Sequence, residues 1–473
     1  MRIFPLLASI LFSINICAQK KIRPDKLMED FDFLVSELRT QHQGLYQYVD
    51  KTTVDSQLAH LRESITQPID RLEFYGLIRK TIAVTNEGHT TADLPKWTKL
   101  KLGLSKSFLP IAVKYCDGSY IITQNYGAKT SLLSKGDKLL AVNGTRIEAI
   151  LESLLPLIPT DGFNKTSRHE WLGGINFSLL YRLVHGKTKA FDIEVQELGG
   201  NTTKMVSLKP IRYTAFKGKN ATFPPKSFDF SKFQCKAIND SIAYLSIPGF
   251  GDDDLPYETF YKTAFQQIDS LGATHLILDI QANGGGTEGN ENLLFSYLSE
   301  EPVQKYKRVT MMPKSYEGNA TDPDYIFDQW ELTGPKAVRG NFTLFSDYYS
   351  DLGYGVPNTD LRYGGKLYVL ISGLTFSGGA EFASLVKMTD RGIFIGEETG
   401  GTYEGNVSGY SETITLPHSK IRVNIPIIHF QINVSPTIKG RGVMPDHEVP
   451  QTWEDYQHGK NTKLAFAKKL IMD

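Results

Sequence analysis

Four short apolar runs in the C-terminal half constrain the fold more than any other feature of this 473-residue chain. They cover Ile242 to Ile247, Leu276 to Ile280, Leu367 to Ile371 and Ile393 to Ile395, and longer stretches, partly of helical pattern, separate them. Strands that are apolar on both faces are typical of a mainly parallel sheet covered by helices. The sequence therefore predicts an α/β layer structure over residues 210–473.

Two further regions precede this half. Apolar residues recur at helical spacing over 19–97, which predicts a mostly helical region. Short β-like runs follow over 98–209, with turn signals at Gly136-Asp137 and Asn143-Gly144. The order of strands and turns in 98–209 resembles a PDZ domain, a module that binds a peptide as an extra strand at its sheet edge. An unspecialised β-rich spacer is the alternative.

Residues 1–18 have the pattern of a secretory signal. Arg2 supplies the positive start, Ile3 to Ile16 is mostly apolar, and Ala18 is a small residue at a cleavage point before Gln19. We therefore expect an exported protein, periplasmic or at the cell surface. No other stretch approaches the ~20 apolar residues that a membrane helix needs, so we expect no stable membrane insertion.

The charge balance of the chain bears on its binding partners, and its cysteine content bears on disulfide formation. Lys plus Arg and Asp plus Glu balance at 52 each, and no long run of like charge occurs. This balance indicates neither a nucleic-acid surface nor a polybasic membrane patch. Cys116 and Cys235 are the cysteines that follow the signal; export would permit a disulfide between them, and two buried thiols are the alternative.

Two motifs follow predicted strands and could carry chemistry. Gly284, Gly285 and Gly286 come four residues after the end of the second apolar run at Ile280, where backbone N–H groups free of side chains could bind an anion. Ser377 lies between the third run and a helical stretch, where the helix N-terminus favours developing negative charge. Each motif alone has a simpler interpretation, as a tight turn and as a helix N-cap.

The two motifs together resemble the tail-specific, or C-terminal processing, serine peptidase family. The resemblance implies that Ser377 is the nucleophile and that the N–H groups of Gly378 and Gly285 form the oxyanion hole. Segments 395–401 (IGEETGG) and 442–446 (GVMPD) resemble two further conserved segments of that family. The resemblance covers nearly the whole chain after the signal.

The general base departs from the commonest arrangement in that family, a Ser-Lys dyad. The position 25 residues after Ser377 is Thr402, so that lysine is missing. A second branch, which resembles the tricorn core, takes a histidine from an Asp-Gly-His-Thr motif near the N-terminus. Residues 87–90 (EGHT) match this motif with Glu in place of Asp. Histidine can accept the serine proton near neutral pH, so the resemblance implies that His89 is the base.

A third group should accept the other ring N–H of the histidine and orient it. The tricorn-like branch uses a serine just before the histidine and a glutamate before the last conserved segment, but this chain has Gly88 and Lys439 there. On a strand, Glu404 would face the same way as the missing lysine. We predict Glu404 as the third residue, with Glu87 and Glu398 as rivals.

The resemblance implies a crotonase-like (Clp-protease-like) α/β peptidase core at 210–473, with an insertion around 302–365. The expected function is hydrolysis of peptide bonds in peptide or protein substrates. We expect no metal or organic cofactor, because the sequence has no HExxH, CxxC or nucleotide-binding glycine motif. Two alternatives are a catalytically inactive peptide-binding protein of the same fold and an acyl-CoA enzyme, which export argues against.

Overall fold

The computed structural model of the protein describes residues 21–127, 132–216, 232–252, 254–311, 336–338, 341–343, 354–435 and 438–473. The signal predicted at 1–18 and much of the insertion predicted at 302–365 lie outside the described residues. None of the described helices is long and apolar enough to cross a membrane.

The described ranges contain twelve α-helices. They are α1 (Pro24–Gln41), α2 (Lys51–Glu63), α3 (Arg71–Ala83), α4 (Lys96–Leu104), α5 (Ile147–Leu154), α6 (Thr166–Leu172), α7 (Asn176–His185), α8 (Tyr257–Leu271), α9 (Asn290–Ser296), α10 (Gly378–Met388), α11 (Trp453–Gln457) and α12 (Thr462–Met472). Side-chain caps help to fix several starts. At α3, Asp70 and Glu73 form a capping box that satisfies otherwise free N–H groups.

The strands of the same ranges number twenty. They are β1 (Thr91–Asp93), β2 (Ile111–Cys116), β3 (Ser119–Asn125), β4 (Lys138–Val142), β5 (Thr145–Arg146), β6 (Phe191–Gln196), β7 (Thr203–Leu208), β8 (Gln234–Asn239), β9 (Ile242–Ser246), β10 (His275–Asp279), β11 (Val303–Gln304), β12 (Tyr306–Met311), β13 (Lys336–Val338), β14 (Asn341–Thr343), β15 (Tyr354–Gly355), β16 (Lys366–Ile371), β17 (Ile393–Gly396), β18 (Gly405–Thr415), β19 (Arg422–Ile432) and β20 (His447–Glu448).

The central sheet contains the four apolar runs and confirms the predicted α/β class. Its strand order is β20-β17-β16-β10-β9-β8, and only β8 pairs antiparallel. β9, β10 and β16 are almost fully buried because helices cover both faces, with α8, α9 and α10 on one and α12 on the other. Neighbouring parallel strands end at the same edge, so the loops after β10 and β16 meet there.

A second sheet joins the two ends of the chain. In the long hairpin of β18 and β19, the edge of β19 that faces away from β18 pairs with β1 near its start and with β12 near its end. Helices α1, α2 and α3 pack their apolar faces against residues of this hairpin, including Val423 and Ile425. The N-terminal region, predicted as mostly helical, therefore also contributes a strand, β1, to a sheet of C-terminal strands.

The middle of the chain forms a third sheet with its own apolar core. The strand order is β2-β3-β4-β6-β7, with β5 on β4, and helices α5 and α7 cover it. The strands of this β-rich unit lie within 98–209, and both those bounds and the resemblance to a PDZ domain stay predictions. Cys116 in β2 and Cys235 in β8 are both free thiols, so the structure contains no disulfide between them.

Candidate active site

Ser377 occupies a strained turn between β16 and α10. Its backbone has φ 51° and ψ −130°, a conformation that a residue with a side chain rarely adopts and that costs on the order of 1–3 kcal/mol. Ser377 is the N-cap of α10 by position, but its side chain makes no capping hydrogen bond. The helix therefore does not use the hydroxyl, in contrast to the simple N-cap interpretation.

Gly285 packs directly against this serine. Its φ of 90° favours glycine, and a Cβ added there would lie 2.6 Å from the Cβ and 3.0 Å from the Oγ of Ser377. The same Cβ would lie 2.7 Å from the N of Gly378. The two glycines predicted to form the oxyanion hole therefore both adjoin the nucleophile, and any side chain at 285 would occupy the site.

Asn283 forms hydrogen bonds within its own turn and with the turn that carries Ser377. These bonds affect which of the two predicted N–H donors of the oxyanion hole is free. Its backbone oxygen accepts from Phe376 N at 2.9 Å, and its Oδ1 accepts from the N–H of Gly285 at 2.9 Å. The N–H of Gly378, in contrast, has no hydrogen-bond partner among the described residues. Gly378 is thus an open donor at the helix N-terminus, whereas an anion would have to compete with Asn283 for Gly285.

His89 is held at the same edge by the turn between α3 and β1. Its ring stacks on the ring of Phe376, the residue before the nucleophile, with centroids 4.6 Å apart and an interplanar angle of 26°. Gly88 allows this contact, because a Cβ there would lie 2.6 Å from the Phe376 ring. The pairing of β1 with β19 fixes the strand that follows the turn.

The hydrogen bonds of His89 determine its tautomer. The Nδ1 atom lies 2.7 Å from the Oε1 of Glu87, and since a carboxylate can only accept, Nδ1 carries the proton. The other ring nitrogen, Nε2, is buried without a hydrogen-bond partner in the described structure. An unprotonated Nε2 with no other partner is the arrangement that a general base requires.

Glu87 is fixed between this imidazole and β18. Its Oε2 accepts from the N–H of Val407 at 2.9 Å, and its side chain is fully buried. Burial raises the pKa of Glu87 to about 6, although the backbone donors around it lower the pKa. The carboxylate is therefore mostly ionised at neutral pH and can stabilise an imidazolium.

A second buried carboxyl, Asp161, adjoins this pair and was not identified from the sequence. Its Oδ1 accepts from Gly88 N at 2.8 Å, and Glu87, His89 and Asp161 each offer an atom within 4.8 Å of the others. Burial raises the pKa of Asp161 well above its usual range, and the charge of Glu87 raises it further. Asp161 therefore carries a proton, because two adjacent buried carboxyls cannot both ionise. Its Oδ2 is buried without a hydrogen-bond partner in the described structure.

Burial also lowers the pKa of His89, and the negative charge of Glu381 opposes this shift. The imidazole is therefore neutral at and above neutral pH. The sequence around Asp161, Asp161-Gly162, has the pattern of an ordinary turn. Only the contact of this turn with residues 86–88 reveals its place in the site.

The predicted third residue, Glu404, has a different partner. Its Oε1 accepts from the N–H of Gly440 at 3.2 Å, and its Oε2 is buried without a partner in the described structure. The rival Glu398 binds Arg441 through two hydrogen bonds of 2.8 and 2.6 Å. Of the three glutamates considered from the sequence, Glu87 is therefore the one that contacts the imidazole.

No lysine in the described structure replaces the missing base. Thr402, at the lysine position, is hydrogen-bonded to the hydroxyl of Tyr48 at 3.1 Å. Lys305 is fully buried and pairs at 2.6 Å with both Glu291 and Glu381, the latter in the first turn of α10. Burial alone would lower the pKa of Lys305, but the surrounding carboxylates outweigh it and raise the pKa. This lysine is a permanent cation, not a proton acceptor.

A cavity of about 290 Å³ lies beside the site. Apolar and aromatic side chains form most of its wall, and Arg79 contributes the one cation. Two neighbours of the predicted catalytic residues, Gly88 and Phe376, lie at its edge; the other lining residues are Thr91, Ile158, Pro159, Trp171, Asn176, Leu179 and Leu180. The cavity can hold a large apolar side chain next to the nucleophile.

The cluster of Glu87, His89 and Asp161 is also the one group of potential metal ligands within the described ranges. Both oxygens of Glu87 already accept hydrogen bonds, from His89 and from Val407. An ion bound through the imidazole would take up the lone pair that a general base needs. The arrangement is therefore better suited to proton transfer than to holding a catalytic ion.

Comparison with known proteins relates the C-terminal half of the chain to a family of peptidases. The model of peptidase family S41 matches residues 241–449. Crystal structures of mature CPAF and of mature CPAF complexed with lactacystin are similar in fold, with 17% and 15% sequence identity, TM-scores of 0.62 and 0.64, and coverage of 94% of this chain and 96% and 97% of theirs. A putative peptidase from Parabacteroides merdae aligns at 16% identity over 96% of this chain and 98% of its own, with a TM-score of 0.46.

Proposed function

Because this chain belongs to peptidase family S41 through residues 241–449, we propose that it is an exported serine peptidase with Ser377 as nucleophile and His89 as general base. The observation that carries the proposal is the hydrogen bond from His89 Nδ1 to Glu87. It leaves the unprotonated Nε2 without a partner next to the turn that carries the serine.

The proposed reaction is acyl transfer to water. The Oγ of Ser377 attacks the peptide carbonyl carbon, and His89 Nε2 takes the hydroxyl proton. The carboxylate of Glu87 stabilises the imidazolium, and the N–H of Gly378 donates to the oxyanion. The imidazolium then protonates the leaving amine, and a water molecule, deprotonated by the same histidine, hydrolyses the acyl-enzyme.

We assign the third catalytic role to Glu87 in place of Glu404. Glu87 is within hydrogen-bond distance of the imidazole, whereas Glu404 is engaged by Gly440. Asp161 is a positioning residue in this proposal. Its Oδ1 accepts from the N–H of Gly88, which lies between Glu87 and His89, so Asp161 fixes the turn that carries both groups.

The adjacent cavity indicates the substrate. Its apolar wall and its volume of about 290 Å³ suit a peptide with a large apolar residue near the scissile bond. The exposed ring of Trp171 forms part of this wall. Trp171→Ala should therefore raise KM for peptides with an aromatic or leucine residue, while peptides with alanine at that position change little.

Cleavage of casein by the purified protein tests the proposed function. Wild type should cleave casein, and Ser377→Ala and His89→Ala should each abolish cleavage while leaving the thermal unfolding transition in place. If a folded wild-type protein cleaves neither casein nor a library of peptides, but binds peptides, the inactive peptide-binding alternative is correct. Export is tested separately, by fractionation of the native cells and sequencing of the mature N-terminus.

A further inference from the structure

Helix α4 exposes an unusual set of large apolar side chains. Trp97 is 76% exposed, Leu100 49% and Leu104 55%. Their spacing of three and four residues places them on one face of the helix, which we call the α4 stripe. The opposite face packs inward: Thr98 is buried, and Leu102 contacts the apolar cluster that contains Phe216. The stripe is therefore the solvent side of a helix that is already anchored to the protein.

Lysine residues flank the stripe on the same helix and just beyond it. Lys96, Lys99, Lys101 and Lys106 are all exposed. Lys99 pairs with Asp93 at 2.6 Å. The other three have no carboxylate partner among the residues that the structure describes. Three uncompensated positive charges thus surround a strip of tryptophan and leucine. The charge totals of the sequence do not reveal this patch, since acidic residues elsewhere balance it.

We propose that α4 is a lipid-contact site that holds the protein on an anionic bilayer surface. Helices with tryptophan and leucine on one face and lysines beside them lie in the membrane interface, where the rings and alkyl chains enter the headgroup layer and the ammonium groups meet lipid phosphates. The helix lies on the bilayer and does not cross it. Nine residues extend only about 13 Å along the helix axis.

The charge pattern favours a lipid surface over a second copy of this chain. In a twofold contact through the stripe, each subunit would place its own lysines against those of the partner, without added carboxylates to compensate. An anionic bilayer presents the opposite charge over the whole patch. Each lysine near such a surface increases the affinity about fivefold. The three unpaired lysines together therefore increase the affinity for the bilayer roughly a hundredfold.

Flotation with extruded vesicles tests the proposal on the full chain. The probes are vesicles of equal parts phosphatidylglycerol and phosphatidylcholine, and vesicles of phosphatidylcholine alone. We expect the protein to float with the anionic vesicles at low salt, to remain unbound with the neutral ones, and to dissociate at about 1 M salt, where the Debye length falls to about 3 Å.

Two sets of variants separate the contributions of charge and apolar contact. Replacing Lys96, Lys101 and Lys106 by Gln should weaken vesicle binding roughly a hundredfold, and replacing the three stripe residues by Ser should abolish it. The matched control replaces Leu198 and Met205 by Ser; both are exposed apolar residues outside α4, 51% and 68% accessible, and their loss should leave vesicle binding unchanged.

All of these side chains are at the surface, so each variant should keep the thermal unfolding transition and the casein activity of wild type. The proposal is overturned if the stripe variant binds anionic vesicles as well as wild type does. It is also overturned if wild type does not bind the anionic vesicles and size-exclusion chromatography shows that the stripe substitutions only convert a dimer to a monomer.

Discussion

The substitution Glu87→Gln removes the charge behind His89 while keeping the shape of the side chain. In the structure, Nδ1 of the imidazole lies 2.7 Å from Glu87 Oε1. With an effective dielectric constant of about 20, a full imidazolium–carboxylate attraction at this distance is about 6 kcal/mol. Part of it is already present as a hydrogen bond to the neutral ring. We therefore expect kcat/KM to fall by about 10³- to 10⁴-fold, comparable to the loss of about 10⁴ for the Asp-to-Asn change in a Ser-His-Asp triad.

The hydrogen-bond geometry gives a second reason to expect a large decrease in kcat/KM for Glu87→Gln. Glu87 Oε2 accepts from Val407 N, so a glutamine must present its oxygen either to Val407 or to His89. If the oxygen faces Val407, the amide NH₂ donates to Nδ1, which leaves the proton on Nε2. If it faces His89, two N–H groups oppose each other at Val407. The first arrangement gives the wrong tautomer for catalysis, and the second destabilises the turn.

The pH profile distinguishes this catalytic role from a purely structural one. Burial raises the pKa of Glu87 to about 6, so the wild-type kcat/KM should fall as the pH drops below about 6 and the carboxylate becomes protonated. Glutamine does not titrate, so in Glu87→Gln this part of the acid limb should disappear while the plateau drops. The matched control is Glu404→Gln, which should retain wild-type kcat/KM within threefold, roughly 0.7 kcal/mol, because Glu404 binds Gly440.

Kinetics with a fluorogenic peptide, from about pH 4.5 to 8.5, provide the measurement. The assignment is refuted if Glu87→Gln keeps more than a third of wild-type kcat/KM while Glu404→Gln loses activity by orders of magnitude. The raised pKa also affects stability. The folded protein keeps a proton that the unfolded chain releases between about pH 4.5 and 6, so unfolding free energy should decline across this window by about 2 kcal/mol as the pH rises.

Four further predictions test neighbouring features. Gly285→Ala should abolish activity, since the new Cβ would lie 2.6 Å from that of the nucleophile, whereas Gly284→Ala, with nothing within 4 Å of its Cβ, should stay active in the same peptide assay. Asp161→Asn, a neutral mimic of the protonated acid, should keep kcat/KM within about tenfold, whereas Asp161→Ala should lose more; equal, large losses would argue against a protonated Asp161. Lys305→Met leaves two buried carboxylates uncompensated and should cost about 3–5 kcal/mol in urea unfolding; an unchanged midpoint would contradict this. Added Zn²⁺ should inhibit reversibly by binding His89, and activation by Zn²⁺ would contradict a metal-free mechanism.

The central sheet could be predicted from the sequence because its strands are buried on both faces. Such strands leave continuous apolar runs, and the loops that follow two neighbouring parallel strands must meet at one edge. The resemblance to the tail-specific peptidases paired Ser377 with Gly285, and this shared edge is the physical reason that the two residues meet. The strand β1 was missed, since three residues with partly exposed side chains give no periodic signal.

The contact between Glu87 and the imidazole could not be predicted, because it depends on contacts between distant segments. Glu87 is two residues from His89, and sequence alone does not show that its side chain turns back to the ring. The structure adds Val407 from β18 and Asp161 from the turn before α6, which together fix that orientation. The prediction of Glu404 relied on strand periodicity after Thr402, but β18 begins only at Gly405, so that assumption did not apply.

Labelling by a fluorophosphonate probe, followed by peptide mapping of the adduct, tests the central claim most directly. The wild-type protein should be labelled at one site, and the modified peptide should carry the adduct on Ser377. Ser377→Ala should not react, and His89→Ala should react at least about 10³-fold more slowly, because the hydroxyl is not activated without its base. An adduct on another serine, or undiminished labelling of His89→Ala, would contradict the proposed Ser-His mechanism.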